Sequence, residues 1–579
     1  MATRGDIKPE ERLDSSLQSF SGGMRRNVDA SMLEENQYLY GKNLRVRDGY
    51  VIPTKSPTDL TNTLPEGLKQ GIYGYDSILV VFNKGKAYGR DFSDPIGQFN
   101  EVFGFQMSEI VDRIYAQDVP ASWMNFERKL SNGTDINSDI TLLSTIAGTP
   151  AALICQDGIN QPRLIFSIGN GRAAKTFEEW NNSNLEQQDT REYVPIGLQM
   201  MYHPDGILFI VSPDGKELYR SVTGRPLDFV IAIDPNGDKL EPLSSGKPEA
   251  SRMAYNLDYQ PITAIFNVNS TPRRDIEASG FFVSTSKRSW LVFPDYSQTP
   301  YNEPLFANQP IFGTGSLNQD SVWEALGQNG IITEAGPMTF DGIANTQTEG
   351  KNSPFYYQVA KLFSGVTQTT TCVGRFDDYT LFAVNTIYGY GILVYDNLAQ
   401  IFVSFDQYSE ITGVIKQFAE IKVNGVKRVF CITTEDELFE LFSGNTAPWS
   451  LYTREASVGN SELELILRRV RVTLGNVPVG GILTVKEFVN RKPGQTRDRT
   501  IEANITSNSL PITPPFGDAK VDNITYTLEV PLKGEKVGVF ISGDFDCELQ
   551  RIQLVVEADE QPTTDEEKGR IHSNLRGDI

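Results

Sequence analysis

With 579 residues, the chain is longer than one hydrophobic core usually serves, so we expect about two to four domains. Hydrophobic residues make up 39% of the chain and aromatic residues 10%, a composition that excludes a mostly disordered protein. The net charge of -21 and the scattered arginine pairs argue against tight or sequence-specific binding of nucleic acid, which needs a broad basic surface.

The sequence carries few signals for targeting or for redox chemistry. No run approaches the ~18 to 20 apolar residues that cross a bilayer, so we predict no membrane span. The first six residues lack the apolar core of a secretory signal, so we expect a soluble protein made in a cytoplasm. The four cysteines lie far apart, which fits neither a zinc site nor a disulfide framework and favours four small core residues.

Residues 1–60 are predicted to form an N-terminal arm and entry segment. Residues 33–40 contain the one helix-like stretch of the chain. Asp29 or Ser31 can cap its beginning, and Gly41 can end it.

Residues 61–452 are rich in short apolar runs that Gly, Asn, Asp and Pro separate. The runs at 70–82 and 86–88 flank the turn 83–85, and two further hairpins lie at 151–166 and 206–219. Such repeated hairpins predict an irregular β-propeller, with stacked sandwiches as the rival architecture. No fixed repeat of ~40 residues is visible, which argues against a WD40 array. We expect long insertions at 131–139 and 167–189.

Residues 453–558 predict a β-sandwich domain, so the whole chain is assigned to the all-β class. Leucines occupy odd positions in 461–467, whereas apolar residues occupy even positions in 470–474. This change of parity predicts either a β-bulge near Arg468 and Arg469 or two successive strands. Residues 559–579 carry many charges and no apolar face, so we expect an acidic, flexible tail.

Catalytic and metal-binding signatures are missing from the sequence. Of the two histidines, His203 is interpreted as a surface turn residue and His572 lies in the tail, and there is no G-x-S-x-G elbow or phosphate loop. Acidic turns at 135–139, 234–238 and 544–548 could offer oxygens to Ca²⁺, but none continues as an EF-hand loop. We therefore predict no catalytic, cofactor-binding or metal-binding residues. A glycosidase that uses only carboxylates stays open, because 74 acidic residues contain many pairs.

Several segments, in order along the chain, resemble the nozzle and tail-tube proteins of short-tailed bacteriophages and the related packaged-DNA stabilisation proteins. The best of them is 218–229, whose matching residues are Tyr219, Arg220, Ser221, Gly224, Pro226 and Asp228. The other segments are 20–23, 43–49 with Pro53, 155–162, 262–265, 280–283, 299–304, 312–315 and 395–396. Arg225 departs from the pattern, since a small or acidic residue is expected there, and 453–558 match nothing in the family.

The resemblance implies a structural protein of the virion tail: a homo-hexameric nozzle ring around an axial conduit for double-stranded DNA. It also implies a tail adaptor protein as partner, with tail fibres as further candidates, no cofactor and no enzymatic activity. A net negative wall suits this role, because each basic contact with phosphate would slow the sliding of DNA. Which residues would line the channel is unknown from the sequence. The alternative is a propeller-type adhesin or tail-hub protein that binds a host surface glycan.

Overall fold

The computed structural model describes most of the chain in segments. They are residues 14–17, 19–120, 151–165, 174–176, 194–204, 206–221, 251–254, 260–267, 280–293, 305–306, 315–325, 328–339, 355–457, 465–476, 482–489, 500–504, 524–534 and 536–558, with the single positions 168, 226 and 229. The predicted insertion at 131–139 and the acidic tail at 559–579 lie outside these residues, as does most of 167–189.

The described part of the arm contains seven short strands. They are β1 (Asp14–Leu17), β2 (Gly23–Met24), β3 (Gln37–Tyr38), β4 (Tyr40–Lys42), β5 (Leu44–Arg47), β6 (Tyr50–Pro53) and β7 (Thr58–Asp59). Strands β2 and β3 pair in parallel, and the other five join sheets formed by later parts of the chain. Strand pairing thus joins the arm to sheets formed by later parts of the chain.

Seven small antiparallel sheets follow, each a blade whose strands pair in chain order. Blade 1 contains β8 (Lys69–Tyr75), β9 (Ile78–Asn83), β10 (Lys86–Asp91) and β11 (Asn100–Glu101); blade 2 contains β12 (Tyr115–Pro120), β13 (Ala151–Gln156), β14 (Arg163–Ile165) and β15 (Ala174–Thr176). Blade 3 contains β16 (Met200–His203), β17 (Ile207–Val211), β18 (Glu217–Arg220) and β19 (Ser251–Ala254); blade 4 contains β20 (Ile262–Asn267), β21 (Phe281–Thr285), β22 (Ser289–Phe293) and β23 (Leu305–Phe306). Blade 5 has three described strands, β24 (Val322–Ala325), β25 (Gln328–Thr333) and β26 (Gly336–Thr339). Blade 6 contains β27 (Cys372–Phe376), β28 (Tyr379–Thr386), β29 (Gly389–Asp396) and β30 (Ile401–Asp406); blade 7 contains β31 (Ile415–Val423), β32 (Val426–Thr433) and β33 (Leu438–Glu440).

The blades close into a ring, which makes this region a seven-bladed β-propeller. The first strands of neighbouring blades contact one another from blade 1 to blade 4 and from blade 5 to blade 7, and β31 of blade 7 returns to β8 of blade 1. Between blades 4 and 5, β20 contacts residues Gln319–Ser321, which lead directly into β24. The arm supplies the fourth strand of blade 7, because β7 pairs antiparallel with β33. The Leu60 amide extends this seam by donating to the Leu438 carbonyl at 2.8 Å. A strand from the beginning of the chain therefore joins the last blade to complete the ring.

Apolar clusters lie between neighbouring blades. In β9, Ile78, Val80 and Phe82 face a cluster shared with blade 2, whereas Leu79 and Val81 face one shared with blade 7. Because successive side chains of a strand point to opposite faces, a strand buried on both faces is apolar at every position. Full burial of such a side chain stabilises the fold by roughly 1.5 to 3 kcal/mol. The continuous apolar runs of the sequence are these central strands.

The C-terminal strands and the arm together form two six-stranded sheets. The later strands are β34 (Trp449–Tyr452), β35 (Ala456–Ser457), β36 (Leu465–Gly475), β37 (Ile482–Val489), β38 (Thr500–Asn504), β39 (Ile524–Gly534), β40 (Lys536–Gly543) and β41 (Glu548–Ala558). One sheet has the order β39-β36-β41-β6-β5 with β1 beside β41, and the other has the order β38-β37-β40-β34-β4 with β35 beside β40.

Both sheets contribute to one apolar cluster, which continues into blades 5 to 7. Leu467 and Val472 of β36 share it with Val539 of β40. The pairing of β36 shifts between Leu467 and Arg469, which confirms the predicted β-bulge. A separate sandwich domain at 453–558 stays a prediction, because four arm strands complete the two sheets.

The helix predicted at 33–40 is wrong. Asp29 does act as a cap, but of a short 3-10 helix at Ala30–Met32, where its side chain accepts from the Ser31 amide. Residues 37–42 instead form β3 and β4, because β4 pairs with β34 and the Tyr38 hydroxyl donates to the Val403 carbonyl. The other helical segments among the described residues are also 3-10: Thr61–Thr63, Gln319–Ser321 and Phe355–Phe363, the last kinked at Val359. Within the described residues, no helix is both long and apolar enough to span a membrane.

Candidate functional site

The segment that carries the best family resemblance builds blade 3. Tyr219 and Arg220 lie on β18, and Ser221 and Pro226 are buried after it. Gly224 and Asp228 lie outside the described residues. The Ser221 side-chain oxygen accepts from the Leu208 amide at 2.8 Å, and the Ser221 amide donates back to the Leu208 carbonyl at 3.0 Å. These contacts tie the segment to β17.

Apolar residues of the same segment anchor it in two cores. Leu218 packs in the cluster between blades 3 and 4, and Phe229 packs in the cluster between blades 2 and 3. The described motif residues therefore hold the blade together and do not converge on a pocket.

His203 is not the surface turn residue that the sequence predicted. It ends β16, is fully buried, and packs edge-on against Phe209 and Phe281 with ring centroids 6.1 and 6.2 Å away. The Pro and Gly that follow His203 do mark a turn, but this turn begins after β16 has ended. His203 is a core residue of blade 3.

The cysteines are buried, as predicted for small core residues. Burial raises the pKa of all four thiols, so none is activated as a thiolate nucleophile. In the described segments, no three His, Cys, Asp or Glu side chains are grouped so that they could hold a metal ion.

Polar side chains gather at one end of the propeller axis, where the innermost strands begin. Each of the seven blades contributes one such side chain, within two residues of the beginning of its innermost strand. These side chains are Gln70, Arg113, Gln199, Thr263, Asp320, Thr371 and Gln417. We call this set the axial mouth. Hydrogen bonds and an ion pair link its members from blade to blade, and so it is the candidate functional site.

Hydrogen bonds in the axial mouth run from blade to blade. The side-chain amide of Gln199 donates from Nε2 to the Thr263 carbonyl at 3.3 Å, and the Thr263 hydroxyl donates to the Ser316 carbonyl at 2.7 Å. The Gln417 side-chain oxygen accepts from the Ile72 amide at 2.7 Å, which joins blade 7 to blade 1. Side chains thus satisfy backbone groups that no sheet ladder reaches.

One ion pair crosses the axis. Arg113, just before β12 of blade 2, donates from Nη2 to Asp320 Oδ1 at 2.7 Å, and Asp320 lies just before β24 of blade 5. Its Nη1 donates to Gln417 Oε1 at 2.6 Å in blade 7. Blades 2 and 5 are not neighbours in the ring, so Arg113 braces three separate blades and closes this end of the axis.

Burial sets the electrostatics of this brace. Removal from water raises the pKa of the Asp320 carboxyl, and the Arg113 charge and hydrogen bond only partly offset that rise. Nearby, burial lowers the pKa of Lys416, whose ammonium donates to the Lys69 carbonyl at 3.1 Å. This arrangement can hold blades in place, because Arg113 is paired with Asp320 and Lys416 is bonded to a backbone carbonyl.

A second polar network, the arm clasp, fastens the arm to blade 6. Asp406 is fully buried at the end of β30 and forms an ion pair with Arg45 of β5 at 2.8 Å. Asp406 also accepts from the Asn43 amide at 3.0 Å and from the Ser404 hydroxyl at 2.5 Å. Burial alone would lower the pKa of Arg45, but the charge and hydrogen bond of Asp406, together with the nearby Tyr408 and Tyr379, outweigh burial and raise it.

Close backbone approach strengthens the same junction. Gly23 has a φ of 68°, and a Cβ there would lie 2.6 Å from the Phe402 carbonyl oxygen, so a side chain would not fit. Gly23, Asn43 and Arg45 all belong to segments that carry the family resemblance. The structure gives these segments a local role, which is to hold the arm against the propeller.

Sequence reasoning singled out neither Arg113, Asp320 nor Asp406. Arg113 and Asp320 are single polar residues just before inner strands, a signal that becomes readable only once the strands are assigned to blades. Asp406 ends the apolar run 401–405, and a lone acid at such a position resembles an ordinary turn residue.

Comparisons with known proteins add little beyond the fold. No family model and no curated protein matches the chain. The C-terminal WD40 domain of Sif2 is 9% identical, with 70% of this chain and 95% of that chain covered at a TM-score of 0.32. A chain of the mitotic checkpoint complex is 7% identical, with 68% and 95% covered at 0.34. At such scores the likeness carries no functional information, and the propeller assignment stands on the strand pairing.

Proposed function

We propose that this chain is a structural subunit of the tail nozzle of a short-tailed bacteriophage, that copies of it form a ring, and that it catalyses nothing. The observation that supports this most strongly is the ordered series of family-like segments. The described ones fall on successive parts of the fold: 43–49 in the arm clasp, 155–162 in blade 2, 218–221 in blade 3, 262–265 and 280–283 in blade 4, and 395–396 in blade 6. An architecture shared in order is expected of relatives that share a scaffold.

The geometry of the axial mouth limits where DNA would pass through the proposed ring. A contact of 2.7 Å between Arg113 and Asp320 closes one end of the propeller's own axis, and a double helix is far wider than that gap. In the proposed ring the conduit therefore runs between subunits, with the propellers around it. The net charge of -21 suits a wall along which DNA slides without adhering.

Assembly tests this proposal. Sedimentation of the purified chain over a range of concentrations should show a closed oligomer, with a hexamer as the expected species, and an adaptor protein should bind the ring. An adhesin would instead bind specific glycans on an array as a monomer or small oligomer. A glycosidase would release sugars from a host polysaccharide, and either of these results without a ring would contradict the nozzle proposal.

A further inference from the structure

The arm crosses blade 6 on a surface that remains open. The Arg26 amide donates to the Gln358 carbonyl at 2.7 Å, and the Ile387 amide donates to the Leu362 carbonyl at 2.9 Å. The Lys361 ammonium donates to the Val28 carbonyl at 3.0 Å. Three segments distant in sequence, the arm, the 3-10 helix at Phe355–Phe363 and the turn between β28 and β29, therefore meet here.

Cations and exposed apolar side chains are mixed on this surface. Tyr357, Ile387 and Tyr388 are 57%, 47% and 44% exposed, and Val28 lies at the edge. The Arg26 guanidinium sits over the Tyr388 ring, 5.3 Å from its centroid. We call the set of Arg26, Val28, Tyr357, Lys361, Ile387 and Tyr388 the arm patch.

The arm patch has bonding capacity that no described residue uses. In the part of the chain that the structure describes, no carboxylate pairs with Arg26 or Lys361, although acidic residues outnumber basic ones by 74 to 53 in the sequence. The Nε of Arg26 and the side-chain oxygens of Asn27 and Gln358 are buried without a hydrogen-bond partner. Buried polar atoms without partners are rare in folded proteins, so these three show that polar groups beneath the patch are not satisfied in the isolated chain.

We infer that the arm patch binds an acidic surface of a second copy of this chain. Arginine and tyrosine are the residue types most enriched at the centres of protein interfaces, and here they surround an exposed apolar centre. A second copy supplies complementary charge, since the chain carries -21 overall. This inference rests on the proposed ring and names the surface through which its subunits join.

The charge of the patch also selects the symmetry of the contact. A two-fold interface would place one arm patch on another and bring cations against cations. Contact between the patch and a different, acidic face is head-to-tail, and head-to-tail contacts close into rings when the rotation allows. The arm patch is thus suited to cyclic assembly and opposes an isolated two-fold dimer.

A protein surface fits the patch better than a nucleic acid does. The exposed centre of Tyr357, Ile387 and Tyr388 is matched by apolar side chains, whereas a phosphate backbone offers only charge and hydrogen-bond acceptors. A neighbouring subunit offers both carboxylates for Arg26 and apolar side chains for this centre.

Charge reversal on the full chain tests the inference. The variant Arg26→Glu/Lys361→Glu should weaken self-association at least about tenfold, a loss of about 1.4 kcal/mol, in sedimentation at fixed salt. The matched control is Lys216→Glu/Lys287→Glu, which changes the net charge equally at exposed turns of blades 3 and 4 and should assemble as the wild type does. Tyr357→Ala, which removes an exposed ring, should weaken association several-fold without lowering the melting temperature.

Each outcome decides the question. If the wild type and both double variants form the same ring, the arm patch is not the interface, while the nozzle proposal stands. If the wild type is a monomer at every concentration, both proposals fail. If the wild type binds duplex DNA and Arg26→Glu/Lys361→Glu abolishes that binding, the occupant is a polyanion and the inference is overturned. If Arg26→Glu/Lys361→Glu unfolds, Tyr357→Ala decides alone, and unchanged association of that variant overturns the inference.

Discussion

The arm clasp and the axial mouth each depend on an arginine–aspartate pair, and the distances are nearly equal, 2.8 and 2.7 Å. Asp406 in the clasp is fully buried and accepts several further hydrogen bonds, whereas Asp320 in the mouth is about one-fifth exposed and, among the described residues, its side chain accepts from Arg113 alone. Because only Arg113 offsets it, the partial removal of Asp320 from water raises the pKa of its carboxyl above the ordinary value. The same pair of side chains thus makes a fixed junction in one place and a weaker brace in the other, because the surrounding hydrogen bonds differ.

Removing one partner of the clasp should have the largest effect. Asp406→Ala leaves the Arg45 charge buried without compensation, so we expect a loss of about 3 to 5 kcal/mol in the free energy of unfolding. Denaturant titration of the whole chain measures it. The control is Asp378→Ala, because Asp378 pairs with Arg47 at 3.6 Å in a solvent-exposed position and should cost roughly 0 to 1 kcal/mol. Equal losses for the two variants would show that the clasp is not a buried junction.

The second-largest effect is expected at the seam between the arm and β33, which closes the propeller. Leu60→Pro removes the amide that donates to the Leu438 carbonyl, so we expect a loss of about 1 to 3 kcal/mol and an earlier thermal transition. Leu60→Ala keeps the amide and is the control for the lost side chain. Hydrogen exchange should report faster exchange at β33 in the proline variant alone, and protection there equal to that of Leu60→Ala would contradict this role of β7.

The contribution of the Arg113–Asp320 brace to the free energy of unfolding should depend on pH. Because the folded pKa of Asp320 is raised, the folded state holds the proton more tightly than the unfolded state, and the stabilisation from this group is lost as pH rises through that folded pKa. Asp320→Asn should remove this part of the pH dependence, so that the variant loses less stability than the wild type as pH rises above the ordinary pKa of an aspartate carboxyl. Arg113→Ala should enlarge it, since the offsetting charge is gone. Identical pH profiles for the wild type and Asp320→Asn would contradict the effect.

The smallest expected effect concerns DNA. Gel shifts with duplex DNA at about 50 mM salt should show weak binding that changes little when salt is raised. Tight binding at low salt with a steep salt dependence would reveal a basic surface and contradict passive passage of DNA.

The local parts of this fold were predictable from the sequence, and the distant contacts were not. The turn at Lys84 and Gly85 adopts positive φ at both residues, as a tight hairpin requires, and the glycine signalled it. The pairing of Thr58 with Glu440 spans most of the chain, and nothing in either residue announces it. His203 was misjudged because a turn signal begins immediately after its strand. Arg113 and Asp320 are brought together only by the closure of the ring.

Cryo-electron microscopy of the assembled protein tests the central claim most directly. We expect six copies around a lumen wide enough for a double helix, with each propeller axis closed at the Arg113–Asp320 pair and offset from that lumen. Single particles without a ring, or a ring whose only open passage runs through the propellers, would contradict the proposed nozzle.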